Sequence, residues 1–158
     1  MTVKEFLNSV REARFDQARC TEKLRQIREQ TQNVTANLSG MPRGGGDVHH
    51  DSALAALADR ESELDAAKAR AIRLETAVES FIDGLSAPEF RIIMKLRFCD
   101  GLSWTQLQQS LPCYGLYFSD STVFRIYRLA FREAKQKWIN EPEWSERFDY
   151  RNSQNEDL

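Results

Sequence analysis

The chain has 158 residues, with 29% charged side chains, 41% hydrophobic ones and a formal net charge of −2. That is the balance of an ordinary soluble protein of one or two small domains. No apolar run approaches the ~18 residues of a membrane span, the N-terminus lacks a signal-peptide core, and two adjacent histidines exclude a multi-histidine metal centre. The three cysteines include no CxxC pair, which points to a reducing compartment, and sparse glycine and proline (7 and 4) favour helix over sheet.

The first segment reads as a helix. Phe6, Val10, Ala13, Gln17, Cys20, Leu24, Ile27, Thr31 and Val34 recur at alternating spacings of four and three, a heptad seam weakened by its small and polar members. Thr2 and Glu5 have the spacing of a capping box. From Asn33 to His50 the periodicity lapses among four glycines and one proline, predicting a connector over about residues 35–50. Asp51 or Ser52 is then placed to cap a second helix, whose seam is Ala53, Leu57, Arg60, Leu64, Ala67, Ala71, Leu74, Val78, Phe81 and Leu85. Two helices of ~45–50 Å joined by a flexible loop imply an antiparallel, coiled-coil-like hairpin over residues 1–84. Seams this rich in alanine, with Arg60 among them, suggest that more helices, another copy's among the candidates, complete the core. The expected contacts are Val10, Leu24, Ile27, Leu57, Leu64, Leu74 and Val78.

Gly84 ends the pattern, and Ser86, Pro88 and Glu89 read as a new helix start with Ser86 as cap. Phe90, Ile93, Met94, Leu96 and Phe98 form its apolar face, and Asp100-Gly101 stops it. Ser103 caps a short helix bearing Trp104, Leu107 and Leu111 that ends at Pro112. A loop through Cys113 and Phe118 follows, and Ser119-Asp120-Ser121 opens a long last helix. Its inward face is Val123, Ile126, Tyr127, Ala130 and Ala134; its outward face is Phe124, Arg125, Arg128, Arg132 and Lys135. The acidic, aromatic tail at 141–158 is expected to fray after Trp144.

Charge is segmental. Residues 85–140 carry 8 basic and 4 acidic side chains, whereas 35–84 carry 5 and 9, and 141–158 carry 2 and 6. A near-neutral chain thus holds a basic stretch suited to a polyanion. Helix, glycine-containing turn, short helix, loop and basic helix is the order of a helix-turn-helix DNA reader, and a helical bundle with a merely solvated basic face shares that pattern.

The stretch from Leu85 to Phe131 resembles region four of the primary sigma factors. The matching residues are Leu85, Glu89, Leu96-Arg97-Phe98, Gly101, Ser103-Trp104, Leu107, Ser119, Thr122-Val123, Arg125-Ile126 and Ala130. Phage late-transcription regulators of the ArpU type share this ending. They often precede it with a helical segment and a connector similar to Leu38-Ser39-Gly40-Met41-Pro42 followed by Gly44-Gly45-Gly46. The resemblance spans most of residues 1–138. It implies an all-α activator of phage or mobile-element genes that binds double-stranded DNA as an oligomer in a bacterial cytoplasm and can contact RNA polymerase. It places Asp120, Ser121, Phe124 and Arg125 at base-reading positions, and Arg97, Trp104, Thr105, Ser119, Arg128 and Arg132 near phosphates. The turn between Leu107 and Ser119 is about four residues longer than the family's, leaving Tyr114 and Tyr117 to face DNA or fill the core. Phe124 replaces a polar reader and is suited either to a thymine methyl or to a protein interface.

The rival reading is an adaptor that docks RNA polymerase or another protein through its hairpin. An enzyme is not expected, since no nucleophile-base arrangement or spaced carboxylate pair stands out. No cofactor or metal is expected either. Asp47, His49, His50 and Asp51 lack a third strong ligand, and Arg43-Gly44-Gly45-Gly46 lacks both the GK[ST] ending and the preceding strand of a phosphate loop. Cys20, Cys99 and Cys113 read as small buried hydrophobes, and Trp104 and Trp138 as core.

Overall fold

The computed structural model describes residues 1–38 and 47–148, and every regular element among them is helical. Two long helices, α1 (Val3–Leu38) and α2 (Asp47–Asp83), precede four shorter segments. These are α3 (Pro88–Met94), continued by a π-helical turn over Lys95–Cys99; α4 (Trp104–Ser110), continued by a 3-10 turn over Leu111–Tyr114; α5 (Asp120–Asn140); and α6 (Glu143–Arg147). No helix among the described residues is long and apolar enough to cross a membrane.

Both long helices reach further toward the connector than expected, α1 to Leu38 and α2 from Asp47. The cause is local. Residues 33–38 and 47–50 contain no glycine or proline, so a helix already nucleated adds residues there with little penalty. The true breakers, Gly40, Pro42 and Gly44-Gly45-Gly46, lie outside the described residues, as do Arg43, Asp149 and Tyr150 and the side chains of Asp47, His49, His50 and Asp51. Thr2 and Glu5 do form the expected capping box, with the Thr2 amide donating to the Glu5 carboxylate at 2.7 Å and the Glu5 amide to the Thr2 hydroxyl at 3.3 Å.

The chain divides into two compact units, one comprising Glu12–Arg73 and the other Met1–Arg11 together with the chain from Leu74 onward. In the first, α1 and α2 run antiparallel. Asp16 lies 3.9 Å from Arg70, and Arg28 lies 2.6 Å from Glu61. Ala13, Leu24, Leu64 and Ala71 are buried along the seam, and Gln17, Cys20, Ile27, Leu57 and Ala67 are half-buried. Arg60 is tolerated on the seam because its guanidinium reaches out to Glu63 at 2.6 Å.

The second unit is built around aromatic rings. Phe6 meets Phe81 edge-on at 5.5 Å and has Trp138, Phe148 and Trp144 at 5.0, 5.4 and 6.2 Å. Phe81 meets Trp144 edge-on at 5.4 Å, an arrangement that sets a ring's positive edge against its neighbour's negative face. This second layer explains why Val3, Leu7, Ala77 and Ile82, which are off the heptad seam, are also buried. Trp144 and Phe148 therefore belong to a packed core, and the segment expected to fray after Trp144 is held through Phe148. The division at 84/85 read from the sequence followed the end of the periodic pattern, whereas the compact units divide at 11/12 and 73/74.

Ser86 is not the cap of α3. Ala87 occupies that position without a side-chain bond, and Pro88 opens the helix. Ser86 instead donates its amide and hydroxyl to the Glu133 carboxylate of α5 at 2.6 and 2.8 Å, which ties the start of the domain to its last long helix. Gly84 serves the same junction. A Cβ there would lie 2.2 Å from the Lys137 ammonium, which sits 5.6 Å from the Phe81 ring centre and 3.2 Å from Glu141.

Candidate nucleic-acid interface

Three segments position the basic face. α3 passes into its π turn, where the Asp100 amide bonds the Lys95 carbonyl at 3.0 Å. The wider turn brings Leu96, Phe98 and Cys99, three of four consecutive residues, into the interior, which a regular helix would not do. Gly101 then reverses the chain at φ +69°, a conformation costly for any residue with a Cβ. Ser103 caps α4 through a full capping box with Gln106, as its position predicts. After Ser110 the chain tightens into the 3-10 turn and leaves it through Gly115 at φ +72°. Helical structure thus runs past Pro112 to Tyr114, rather than ending at the proline.

The core of this region is Ile93, Leu96, Leu107, Leu111 and Val123, with Ile126, Tyr127, Trp104, Leu116 and Phe118 packed against it. Val123, Ala130 and Ala134 anchor α5 inward. Its opposite side is open. Ser121, Phe124, Arg125, Arg128, Leu129 and Arg132 line one shallow groove along that side. Trp104, Thr105, Gln108, Gln109, Asp120 and Phe124 line a second groove between α4 and the start of α5.

The structure brings together Asp120, Ser121, Phe124, Arg125, Arg128 and Arg132, all exposed on one helix. Thr105 is exposed on α4 across the second groove. Ser119 stands at the cap position of α5 but makes no capping bond with its side chain; its hydroxyl meets those of Ser121 and Thr122 at 3.1 and 3.0 Å. Arg97 and Trp104 pair with each other. Arg97 is half-buried, donates to the Leu102 carbonyl at 2.6 Å and lies 4.9 Å from the Trp104 ring centre. Trp104 in turn contacts Phe124 at 4.6 Å and Tyr127 at 4.9 Å. Burial pushes the Tyr127 phenol above its ordinary pKa, although the charge of Arg97 opposes this. Tyr114 and Tyr117 are exposed, at 53% and 80%, and so do not fill the core.

Among the expected oligomer contacts, Val10, Leu24, Leu64, Leu74 and Val78 are at most 8% exposed within the single chain, while Ile27 and Leu57 are half-buried. Sequence reasoning missed Gln108, Gln109 and Leu129 as members of the two grooves. Leu129 was legible, since it follows Arg125 by four residues and must share its face. Gln108 and Gln109 had no such signal, because their groove depends on how α4 meets α5. No group of three or more potential metal ligands occurs among the described residues. Comparison with protein-family models, with curated proteins and with solved structures finds no match for this chain.

Proposed function

We propose that the protein is a sequence-specific DNA-binding regulator of transcription that presents the outer face of α5 to the major groove. The observation that carries this reading is the state of three arginines. Arg125, Arg128 and Arg132 follow one another at spacings of three and four on an exposed face, and none forms an ion pair among the described residues. Arg19, Arg25, Arg28, Arg60 and Arg70 of the hairpin unit all sit beside carboxylates. Like charges at such spacings destabilise a helix by a few tenths of a kcal/mol per pair (~0.2–0.5), and a polyanion relieves that repulsion. The inward face anchors the helix rigidly, and a major groove is wide enough to admit it.

In this reading Asp120, Ser121, Phe124 and Arg125 approach base edges from the first turns of α5, while Thr105, Ser119, Arg128 and Arg132 lie toward phosphates. One such module buries a small interface of roughly 600–1,000 Å², so two copies on two half-sites would supply useful affinity. The sigma-like pattern extends the proposal to an activator of phage or mobile-element genes in a bacterial cytoplasm, with RNA polymerase as a second partner. The test is anisotropy of labelled random and genomic duplexes at several salt concentrations. Binding that weakens log-linearly with salt, and one genomic segment bound well above the random background, is expected. Salt-insensitive or absent binding to every duplex would transfer the case to the adaptor reading.

A further inference from the structure

Phe124 is the anomaly of the basic face. It is a large apolar side chain, 42% exposed, standing on the ridge between the two grooves and flanked by Asp120, Ser121, Arg125 and Arg128. Its inner side is fixed. The Trp104 ring lies 4.6 Å away at 47°, and Trp104 is itself wedged edge-on against Tyr127 at 4.9 Å. The Arg97 guanidinium lies 4.9 Å from the Trp104 ring centre and is tethered to the Leu102 carbonyl at 2.6 Å. Tyr127 continues the stack to Phe98 and Phe131 at 6.4 and 5.9 Å. The outer part of the Phe124 ring is thus an apolar surface on a rigid base rather than a mobile side chain with room to fold inward.

On the floor of a major groove nearly every exposed group is a hydrogen-bond donor or acceptor; the 5-methyl group of a pyrimidine is the apolar exception. We infer that Phe124 recognises a pyrimidine 5-methyl group, that of thymine, and that Trp104 and Arg97 are positioning residues that hold its ring in place. This deepens the duplex-DNA reading and rests on it. Arg97 and Trp104 thereby leave the set of phosphate contacts, and their effect on DNA is transmitted through Phe124. Burying one methyl group corresponds to about a fourfold change in affinity.

The experiment uses the full chain. Duplexes are selected from a random library, and each thymine of the selected site is replaced in turn by deoxyuridine, which lacks only the methyl group. One position per half-site is expected to weaken binding about fourfold in the wild type. With Phe124→Ala that ratio falls to about one, because the group that senses the methyl is gone. A cytosine placed at the same position separates the two sources of the methyl: 5-methylcytosine improving on cytosine shows that the methyl is read in either base, and no improvement confines recognition to thymine. Arg97→Gln is expected to shrink the thymine-to-deoxyuridine ratio while leaving the salt slope unchanged, and Arg97→Lys, which keeps a cation over Trp104, to restore part of it. A salt slope lower by about one ion with the ratio intact would return Arg97 to a phosphate and overturn its positioning role. Deoxyuridine duplexes that all bind like their parent, or a ratio that survives Phe124→Ala, would overturn the methyl reading while leaving DNA binding in place. Failure of the unmodified library to yield any bound duplex would instead remove the DNA reading and this inference together.

Discussion

Arg125 and Arg128 stand one turn apart on α5, both exposed, and the proposed reading gives them different tasks. Arg125 is nearer the N-terminus of the helix, beside Phe124 and Ser121, whereas Arg128 and Arg132 line the groove further along, with Leu129 between them. Arg125→Ala is expected to cost ~1–3 kcal/mol on a selected site and much less on random duplex. Arg128→Ala is expected to weaken both about equally and to lower the salt slope by about one. Parallel titrations of the two variants on both duplexes check this. The cysteines separate in a similar way. Cys99 is buried, and desolvation together with the nearby carboxylates of Glu79 and Asp100 pushes its thiol up to about 12. Cys113 is exposed and Cys20 half-buried. Alkylation near pH 8 should therefore label Cys113 first, then Cys20, and Cys99 only on unfolding. The sign for stability follows from the same shift. The unfolded thiol ionises near its ordinary value of 9.0 and the folded one near 12, so the unfolded chain gives up its proton first. The contribution of Cys99 is present below about pH 9 and is lost as pH rises toward 12, which denaturant titrations of wild type and Cys99→Ala across that range can separate.

At the scale of elements, the apolar periodicities carried most of the information. The inward residues of α5, the seams from Phe6 to Ile27 and from Leu57 to Leu85, and the stop at Gly101 all follow from spacing and backbone freedom and are found in place, while the side chains of Thr31, Val34 and Ala53 lie outside the described residues. What spacing missed depends on tertiary contact. The π turn at Lys95–Cys99 is held by its fit to the core, and no residue in it is a helix breaker. Ser86 has the local chemistry of a cap, but Glu133 of α5 competes for its amide and hydroxyl, and that partner is distant in sequence. Gln108 donates to the Phe118 carbonyl at 3.2 Å, bracing the long turn before α5. For the core itself the expectation is quantitative. Leu107 is fully buried among Ile93, Leu96, Leu111 and Val123, so Leu107→Ala should cost ~2–5 kcal/mol. Chemical denaturation would register this as a lower midpoint at an unchanged slope.

The whole molecule alters how assembly should be tested. If Leu74 served only as the oligomer contact expected from the seam, a charge there would separate the copies and leave the reader intact. Leu74 and Val78 are instead 3% and 0% exposed, and they lie in the compact unit that also contains α3, α4 and α5. Leu74→Glu is therefore expected to unfold that unit, seen as a large loss in melting temperature and in DNA binding together. Surface positions of the hairpin unit are the better probes. Phe15 and Ile72 are 69% and 64% exposed and can be changed without opening either core. Sedimentation of Phe15→Glu and Ile72→Glu variants should show a smaller species with an unchanged melting temperature if a second copy covers those side chains, and an unchanged species if none does. The basic face was legible in the sequence because arginine spacing on one helix is a local property. The boundary of the unit that carries it was not, because it depends on which rings from the two ends of the chain meet.

That meeting has a consequence for synthesis. Phe6 leaves the ribosome before Trp138, Trp144 and Phe148, which follow it by more than a hundred residues. Until they emerge, α1 carries a bare aromatic surface, and closing so long a loop makes this a late event in folding. A nascent chain arrested after α5 would hold the arginines of that helix but lack Trp144 and Phe148 of the ring cluster. Chains that stop short of Trp144 and Phe148 would leave part of this cluster uncovered and be readier targets for proteases than chains that carry it.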